Sequence, residues 1–183
     1  MTVAVFLDRD GVLNRSDIRD GKPFAPTTLE GFEILPGVQG AVAALNDAGF
    51  KIIVSTNQPD VKKGVMDKAM VEAMNDQLRR ELPMIDDVKV CYHAKEDQCD
   101  CRKPKPGMLI EAAAEWGINL ERSFMIGDRW SDIDAGKSAG CRTIFIDYQY
   151  AEKRPEMPDF TAASLAEAAS LILSLPANKK KLS

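Results

Sequence analysis

Val3-Ala4-Val5-Phe6-Leu7-Asp8-Arg9-Asp10-Gly11 opens on five apolar residues and ends abruptly in charge. A continuous apolar run of this kind, with no polar alternation, predicts a strand buried on both faces of a parallel sheet. Its carboxyl end delivers Asp8 and Asp10 to the edge of that sheet.

The chain beyond it keeps alternating. Pro36 to Ala48 places Val38, Val42 and Leu45 at helical spacing between a proline and Gly49, which predicts an amphipathic helix. Lys51 to Ser55 predicts a second strand, ending on Thr56-Asn57-Gln58. There follow a helix from about Asp67 to Glu81, a strand around Val88 to Cys91, and a helix from Gly107 to Trp116. A strand at Phe124 to Ile126, a helix near Ser131 to Ala139 and a strand at Thr143 to Ile146 complete the series. Strand-then-helix repetition predicts an α/β fold, a doubly wound and mainly parallel sheet with helices on both faces, which binds ligands beyond the carboxyl ends of its strands. Arg15 to Glu33 predicts a long loop overhanging that edge.

Asp8 and Asp10 are carboxylates separated by one residue, a spacing that suits a nucleophile beside an acid/base, with a cation holding both. Surface turns are also rich in Asp, so it is the position after a buried strand that favours chemistry. Thr56 stands at the matching point after the second strand, where a hydroxyl can hold a phosphoryl oxygen or simply cap a helix. Lys103 lies in Arg102-Lys103-Pro104-Lys105-Pro106-Gly107, directly before a predicted helix whose N-terminal dipole favours anions. A plain basic loop is the competing reading there. Gly127-Asp128-Arg129-Trp130-Ser131-Asp132 adds two carboxylates after another strand. Asp128 is the better metal ligand of the two, and Asp132 reads equally as a helix-start charge. Together these segments offer what phosphoryl transfer requires: a carboxylate pair, a hydroxyl, an ammonium and further carboxylates.

Cys91-Tyr92-His93 and Cys99-Asp100-Cys101 gather three of the four cysteines and the sole histidine into a short span. In extended chain, residues i and i+2 point to the same side, so each pair can pinch a metal. A Cys₃His set of Cys91, His93, Cys99 and Cys101 predicts a closed, structural Zn²⁺ site bracing the loop that delivers Arg102 and Lys103. A disulfide or unrelated buried thiols are the alternatives. Cys141, outside the cluster, reads as a buried apolar residue.

Composition bounds the rest. The chain has 183 residues, 45% of them hydrophobic and 28% charged, which suits a single globular domain. That domain is expected over residues 1–175 with the zinc loop at 91–101, followed by a flexible tail at 176–183 that carries Lys179 to Lys181. A formal net charge of −4 provides no basic field for nucleic acid. The first apolar run is too short for a signal segment or a membrane span. The expectation is a cytoplasmic monomer with no nucleic-acid or membrane partner.

Asp8/Asp10, Thr56, Lys103 and Asp128/Asp132 meet, in order, the pattern of the haloacid dehalogenase superfamily, which this chain therefore resembles over most of its length. The resemblance implies that Asp8 attacks phosphorus to form an aspartyl-phosphate, and that Asp10 protonates the leaving oxygen and then activates water. It implies Mg²⁺ held by Asp8, the Asp10 backbone carbonyl and Asp128, with Thr56 and Lys103 steadying the transferring group and Asp132 in support. It also implies a small inserted zinc loop and no large cap domain. The run from Cys91 to Gly107 is similar to the zinc-bearing phosphatases of that superfamily, which include D-glycero-D-manno-heptose 1,7-bisphosphate phosphatases and the histidinol-phosphate phosphatase domain.

That likeness implies a small phosphorylated sugar as substrate, a heptose bisphosphate converted to heptose 1-phosphate for lipopolysaccharide or another surface glycan, with Asn57, Gln58, Arg102 and Arg129 as its contacts. The short separation between His93 and Cys99 favours histidinol phosphate instead. A non-catalytic zinc-bearing binding module is a reading of a different class, disfavoured by the full catalytic set. A nucleic-acid 3′-phosphatase is disfavoured by the acidic balance. Where heptose enzymes read Asn-Gln-Ser-Gly, this chain has Asn57-Gln58-Pro59-Asp60; Pro59 removes a backbone donor and Asp60 adds a negative charge near an anionic substrate.

Overall fold

The computed structural model describes residues 2–176; apart from Pro176, the expected tail lies outside the described residues. In chain order the elements are β1 (Ala4–Leu7), β2 (Asp17–Arg19), β3 (Lys22–Phe24), α1 (Val38–Asp47), β4 (Lys51–Asn57), α2 (Lys68–Glu81) and β5 (Asp87–Cys91). They continue with α3 (Gly107–Trp116), β6 (Phe124–Gly127), α4 (Trp130–Ala139), β7 (Arg142–Ile146), β8 (Phe160–Ala162) and α5 (Leu165–Ser174).

Six strands form one sheet in the order β5-β4-β1-β6-β7-β8, and every neighbouring pair is parallel. The opening apolar run sits where its composition requires, in the middle, with Phe6 paired to Ile53 on one side and Met125 on the other. Alternate residues feed two separate cores. Ala4 and Phe6 join Ile53 and Met125 beneath Met108, Leu109 and Ala112 of α3. Val5 and Leu7 join Ile52, Val54 and Ile126 beneath the apolar sides of α1, α2 and α5. A strand sandwiched in this way has no solvent face on which to carry a polar residue.

The topology places the site. The chain leaves β1 for β4 and then β5, and returns to the opposite side of β1 at β6. Such a reversal opens a crevice beyond the carboxyl ends of the two strands flanking it. Asp8 follows β1 and Asp128 follows β6, so both face that crevice, and the Asp8 backbone N–H is fixed to the Ile126 carbonyl at 3.0 Å.

Two features differ from the sequence expectation. The 15–33 segment contains an antiparallel hairpin, β2 paired with β3, in place of featureless loop. Its turn is Asp20-Gly21, with φ of 50° and 72°, as a two-residue type I′ hairpin turn demands. No large cap is inserted among the described residues. At the far edge, β8 pairs with β7 and leads into α5, whose start is capped by the Ser164 hydroxyl accepting from Glu167 N at 3.2 Å.

Ile53 is fully buried between both flanking strands and the α3 face. Ile53→Ala should therefore destabilise the protein by about 2–5 kcal/mol in urea unfolding; a cost no larger than that of an exposed site would show that the centre of this sheet relaxes around a void.

Candidate active site

Four segments converge in the crevice. Lys103 reaches it from the loop before α3 with its ammonium only 2% exposed. It donates to Asp8 Oδ1 at 2.8 Å and to the Ser55 carbonyl at 2.7 Å, and it pairs with Asp132 Oδ1 at 2.6 Å. All three ammonium protons therefore have acceptors, as a buried charge requires. Asn57 holds the lysine's backbone in place, accepting from Lys103 N and donating to Lys103 O, each at 3.1 Å. Asp132 also accepts from Arg129 N at 3.0 Å at the start of α4, so it is both helix cap and counter-ion.

Two glycines are required here. A side chain on Gly11, which has φ of 87°, would come within 2.0 Å of Asp128 Oδ2, and one on Gly127 would meet the Asp132 side chain at 2.1 Å. Each glycine lets a carboxylate approach the backbone closely.

Asp8, Asp128 and Asp132 are buried, and their oxygens lie within 4.8 Å of one another. Lys103 is the sole ammonium among them. Burial, helped by Asp132 and Asp10 and opposed by Lys103, pushes the Asp8 carboxyl up to about 7. Burial together with Asp8 and Asp132 pushes Asp128 well up. Burial works to lower the Lys103 pKa, but Asp132 and Asp8 raise it above the ordinary lysine value. Asp128 Oδ2 accepts from the Tyr150 hydroxyl at 2.9 Å, while its Oδ1 has no partner. Excess buried negative charge and an orphaned carboxylate oxygen fit a hard divalent cation with oxygen ligands.

Asp10 is gripped on both oxygens. Arg9, wholly buried, donates to Oδ1 at 3.1 Å and Oδ2 at 3.2 Å; Asn14 donates to Oδ1 at 2.9 Å and Gln58 to Oδ2 at 2.7 Å. Arg9 is itself steadied by Asn75 Oδ1 at 3.0 Å and by the Phe32 ring. Gln58 bonds Thr56 Oγ1 at 2.9 Å as well, which links Thr56 to Asp10. Asn57 and Gln58, expected as substrate contacts, thus direct these amide bonds into the protein, while still lining the cavity.

That cavity has a volume of about 370 Å³ and opens over Asp8, Asp10 and Lys103. Its rim carries Lys22, Lys63, Arg102 and Arg129 against Asp60 and Glu152. Two of these cations are already matched: Lys63 pairs with Asp60 at 3.2 Å, and Arg129 grips Glu152 through Nε at 2.9 Å and an NH2 at 2.5 Å. The Arg102 guanidinium donates to the His93 carbonyl at 3.2 Å, and neither it nor Lys22 is in an ion pair among the described residues. Lys22 sits on the hairpin, and Glu152 lies beyond β7. Sequence reasoning overlooked both, as it did Tyr150, because none of the three directly follows a predicted strand or belongs to the ordered motif; Arg9 lies inside the Asp8-Arg9-Asp10 motif, but nothing in that spacing signals that its side chain is buried.

Cys91, His93, Cys99 and Cys101 do come together, and the cysteines are not disulfide-bonded. Tetrahedral zinc with bonds of about 2.3 Å to sulfur sets sulfur–sulfur edges near roughly 3.8 Å. Cys91–Cys99 at 3.6 Å and Cys99–Cys101 at 3.5 Å match, as does Cys91 to His93 Nδ1 at 3.7 Å. Cys91–Cys101, at 2.7 Å, is the edge an ion would widen. Burial opposes ionisation of Cys99, but the Arg102 backbone N–H and the neighbouring thiols hold it down at about 7. Cys141 is buried in the apolar layer under α3, and burial pushes its thiol up to about 12.

Comparison with known proteins agrees with this arrangement. The family of HAD-hydrolase-like proteins matches residues 100–168. The chain is 38% identical to a D-glycero-β-D-manno-heptose-1,7-bisphosphate 7-phosphatase of Rhodopseudomonas palustris, covering 75% of this chain and 79% of that one. It is 36% identical to the enzyme of the same name from Helicobacter pylori, covering 83% and 87%. The crystal structure of D,D-heptose 1,7-bisphosphate phosphatase from B. bronchiseptica, complexed with magnesium and phosphate, superposes with a TM-score of 0.79 at 30% identity, over 94% of this chain and 98% of that one. The chain belongs to the HAD-like hydrolases, in the branch that holds the heptose bisphosphate phosphatases. It is a phosphoric monoester hydrolase. No helix among the described residues is long and apolar enough to cross a membrane.

The raised carboxyls give a pH signature. Between the ordinary aspartate value of 3.8 and about 7, native Asp8 retains protons that the unfolded chain has lost, and Asp128 is shifted in the same direction. Stability must then fall as pH rises through that window. In chelator, the melting temperature should drop between about pH 4 and about pH 7, and Mg²⁺ or Asp128→Asn should flatten the drop. Equal slopes under all three conditions would mean that these carboxyls are not the source.

Proposed function

We propose that the protein removes a phosphate from a small phosphorylated sugar through an aspartyl-phosphate on Asp8, and that the substrate is a heptose 1,7-bisphosphate yielding heptose 1-phosphate. The observation that carries this reading is Asp8 at the floor of a polar cavity, held by Lys103 beside Asp10. An Asp8 oxygen attacks phosphorus as the ester bond to the leaving oxygen breaks. Asp10 gives that oxygen its proton. Asp10 then takes a proton from water, whose oxygen attacks the phospho-aspartate and restores Asp8. Lys103 neutralises charge on the transferring group. Gln58 and Arg9 fix the position of Asp10 beside Asp8, and Thr56 is tied to it through Gln58. Mg²⁺, held by Asp8, the Asp10 carbonyl and Asp128, would supply charge neutralisation at the phosphoryl oxygens, with Asp132 in support. Zn²⁺ on Cys91, His93, Cys99 and Cys101 would brace the segment bearing Arg102 and Lys103.

The rim supports recognition of a second anionic group. Arg102 and Lys22 are in no ion pair among the described residues, so they are the rim cations open to a second anion, and Arg129 would join them only by giving up Glu152. The relatives are named for a bisphosphate substrate, which fits a rim with cations to spare. Histidinol phosphate is a second reading, favoured by the short zinc loop and by two rim carboxylates that an ammonium could approach. Asp60 and Glu152 are already neutralised by Lys63 and Arg129, which places the bisphosphate first. A single phosphatase domain over 1–175 that acts as a cytoplasmic monomer completes the reading.

Phosphate release with Mg²⁺ should favour one anomer of heptose 1,7-bisphosphate over histidinol phosphate and over a 3′-phosphorylated oligonucleotide. Asp8→Asn should lower turnover by more than about a thousandfold; an equally active variant would exclude the covalent route. Arg102→Ala should raise KM for the bisphosphate roughly tenfold, the value of one charge-assisted contact, and leave a monophosphate ester almost unaffected. A KM that rose alike for both would remove Arg102 from the second-anion site.

A further inference from the structure

The segment that leaves β7 has no place in the ordered motif of catalytic residues, yet it meets the site at three points. Tyr150 donates its hydroxyl to Asp128 Oδ2 at 2.9 Å. The next residue, Ala151, donates its backbone N–H to the Gly21 carbonyl at the hairpin tip, at 2.8 Å. Glu152 grips Arg129 on the cavity rim. The Tyr150 phenol is thus held on a fastened segment, its ring 5.5 Å from that of Tyr148.

Asp128 is oriented from two sides. Gly11, with no side chain, lets Oδ2 pack against its backbone, and the Tyr150 hydroxyl takes a hydrogen bond to that same oxygen. Oδ1 is left buried and without a partner. A carboxylate so fixed cannot rotate to trade its two oxygens without losing the phenol bond.

We propose that Tyr150 is a positioning residue for the metal site, holding Asp128 by Oδ2 so that Oδ1 is presented to the divalent cation. The proposal rests on the reading that a cation lies between Asp8 and Asp128. A hydrogen-bonded partner behind a metal-ligating carboxylate fixes its orientation, and loss of such a partner commonly weakens metal binding by roughly ten- to a hundredfold. Tyr150 reaches the cation only through Asp128, so its removal changes how tightly the ion is held and leaves the loaded site with the same reacting groups.

The test is calorimetric titration of the metal-free protein with Mg²⁺, alongside Mg²⁺ activation of phosphatase turnover, for wild type, Tyr150→Phe and Tyr148→Phe. Tyr150→Phe should bind Mg²⁺ roughly ten- to a hundredfold more weakly, with the activation midpoint shifted by the same factor and kcat recovered at saturating Mg²⁺. Tyr148→Phe should match wild type. If Tyr150→Phe bound Mg²⁺ as wild type does, even with a lowered melting temperature, the tyrosine would be purely structural and the proposal overturned. Wild-type protein that failed to bind Mg²⁺ at all would overturn the metal reading itself, and the proposal with it.

Discussion

The buried ammonium of Lys103 is the interaction on which the site depends. A charge that is 2% exposed survives only where every proton has an acceptor, and those acceptors come from three different strand ends: Asp8 after β1, the Ser55 carbonyl in β4, and Asp132 in the first turn of α4 after β6. The lysine therefore reports that these elements are assembled. Its own delivery depends on the loop between β5 and α3, clamped by Asn57 and carrying the Cys₃His cluster. Fold, cluster and catalytic centre are coupled through one side chain.

That ammonium leaves the site under-neutralised, because it faces three buried carboxylates. The imbalance appears as carboxyl groups pushed upward and as one carboxylate oxygen with no partner, both of which describe a place prepared for a cation. Asp10 next door has different partners: Arg9, Asn14 and Gln58. Two aspartates one residue apart thus sit in different surroundings: Asp8 is pinned by a lysine at the cavity floor, and Asp10 is suspended from an arginine and two amides.

Around this floor, charge pairing decides which cations are available to a substrate. Arg129 has the composition of a phosphate contact, but Glu152 already occupies its guanidinium. Lys63 is similarly engaged by Asp60, the residue that departs from the heptose-enzyme pattern, so the added negative charge is compensated within its own loop. Lys22, from a hairpin that covers the cavity, is uncommitted.

The sequence by itself determined the core of the fold and the chemistry. An unbroken apolar run ending in Asp8 has no stable place except mid-sheet, and the period-two division of its side chains into two cores follows from strand geometry. The Cys₃His cluster at 91–101 was legible because local spacing brings its four side chains together. The Asp20-Gly21 turn and the Ser164-x-x-Glu167 cap are short-range signals that the sequence reading passed over, because the strands beside them are only three residues long and too short to show a period. What tertiary structure alone decided is every pairing across long separations: Arg9 with Asn75, Gln58 with Asp10, Arg129 with Glu152, and Tyr150 with Asp128. Such pairs leave no periodicity or spacing in the chain, because it is the packing of distant elements that fixes the angles and distances on which a hydrogen bond or an ion pair depends.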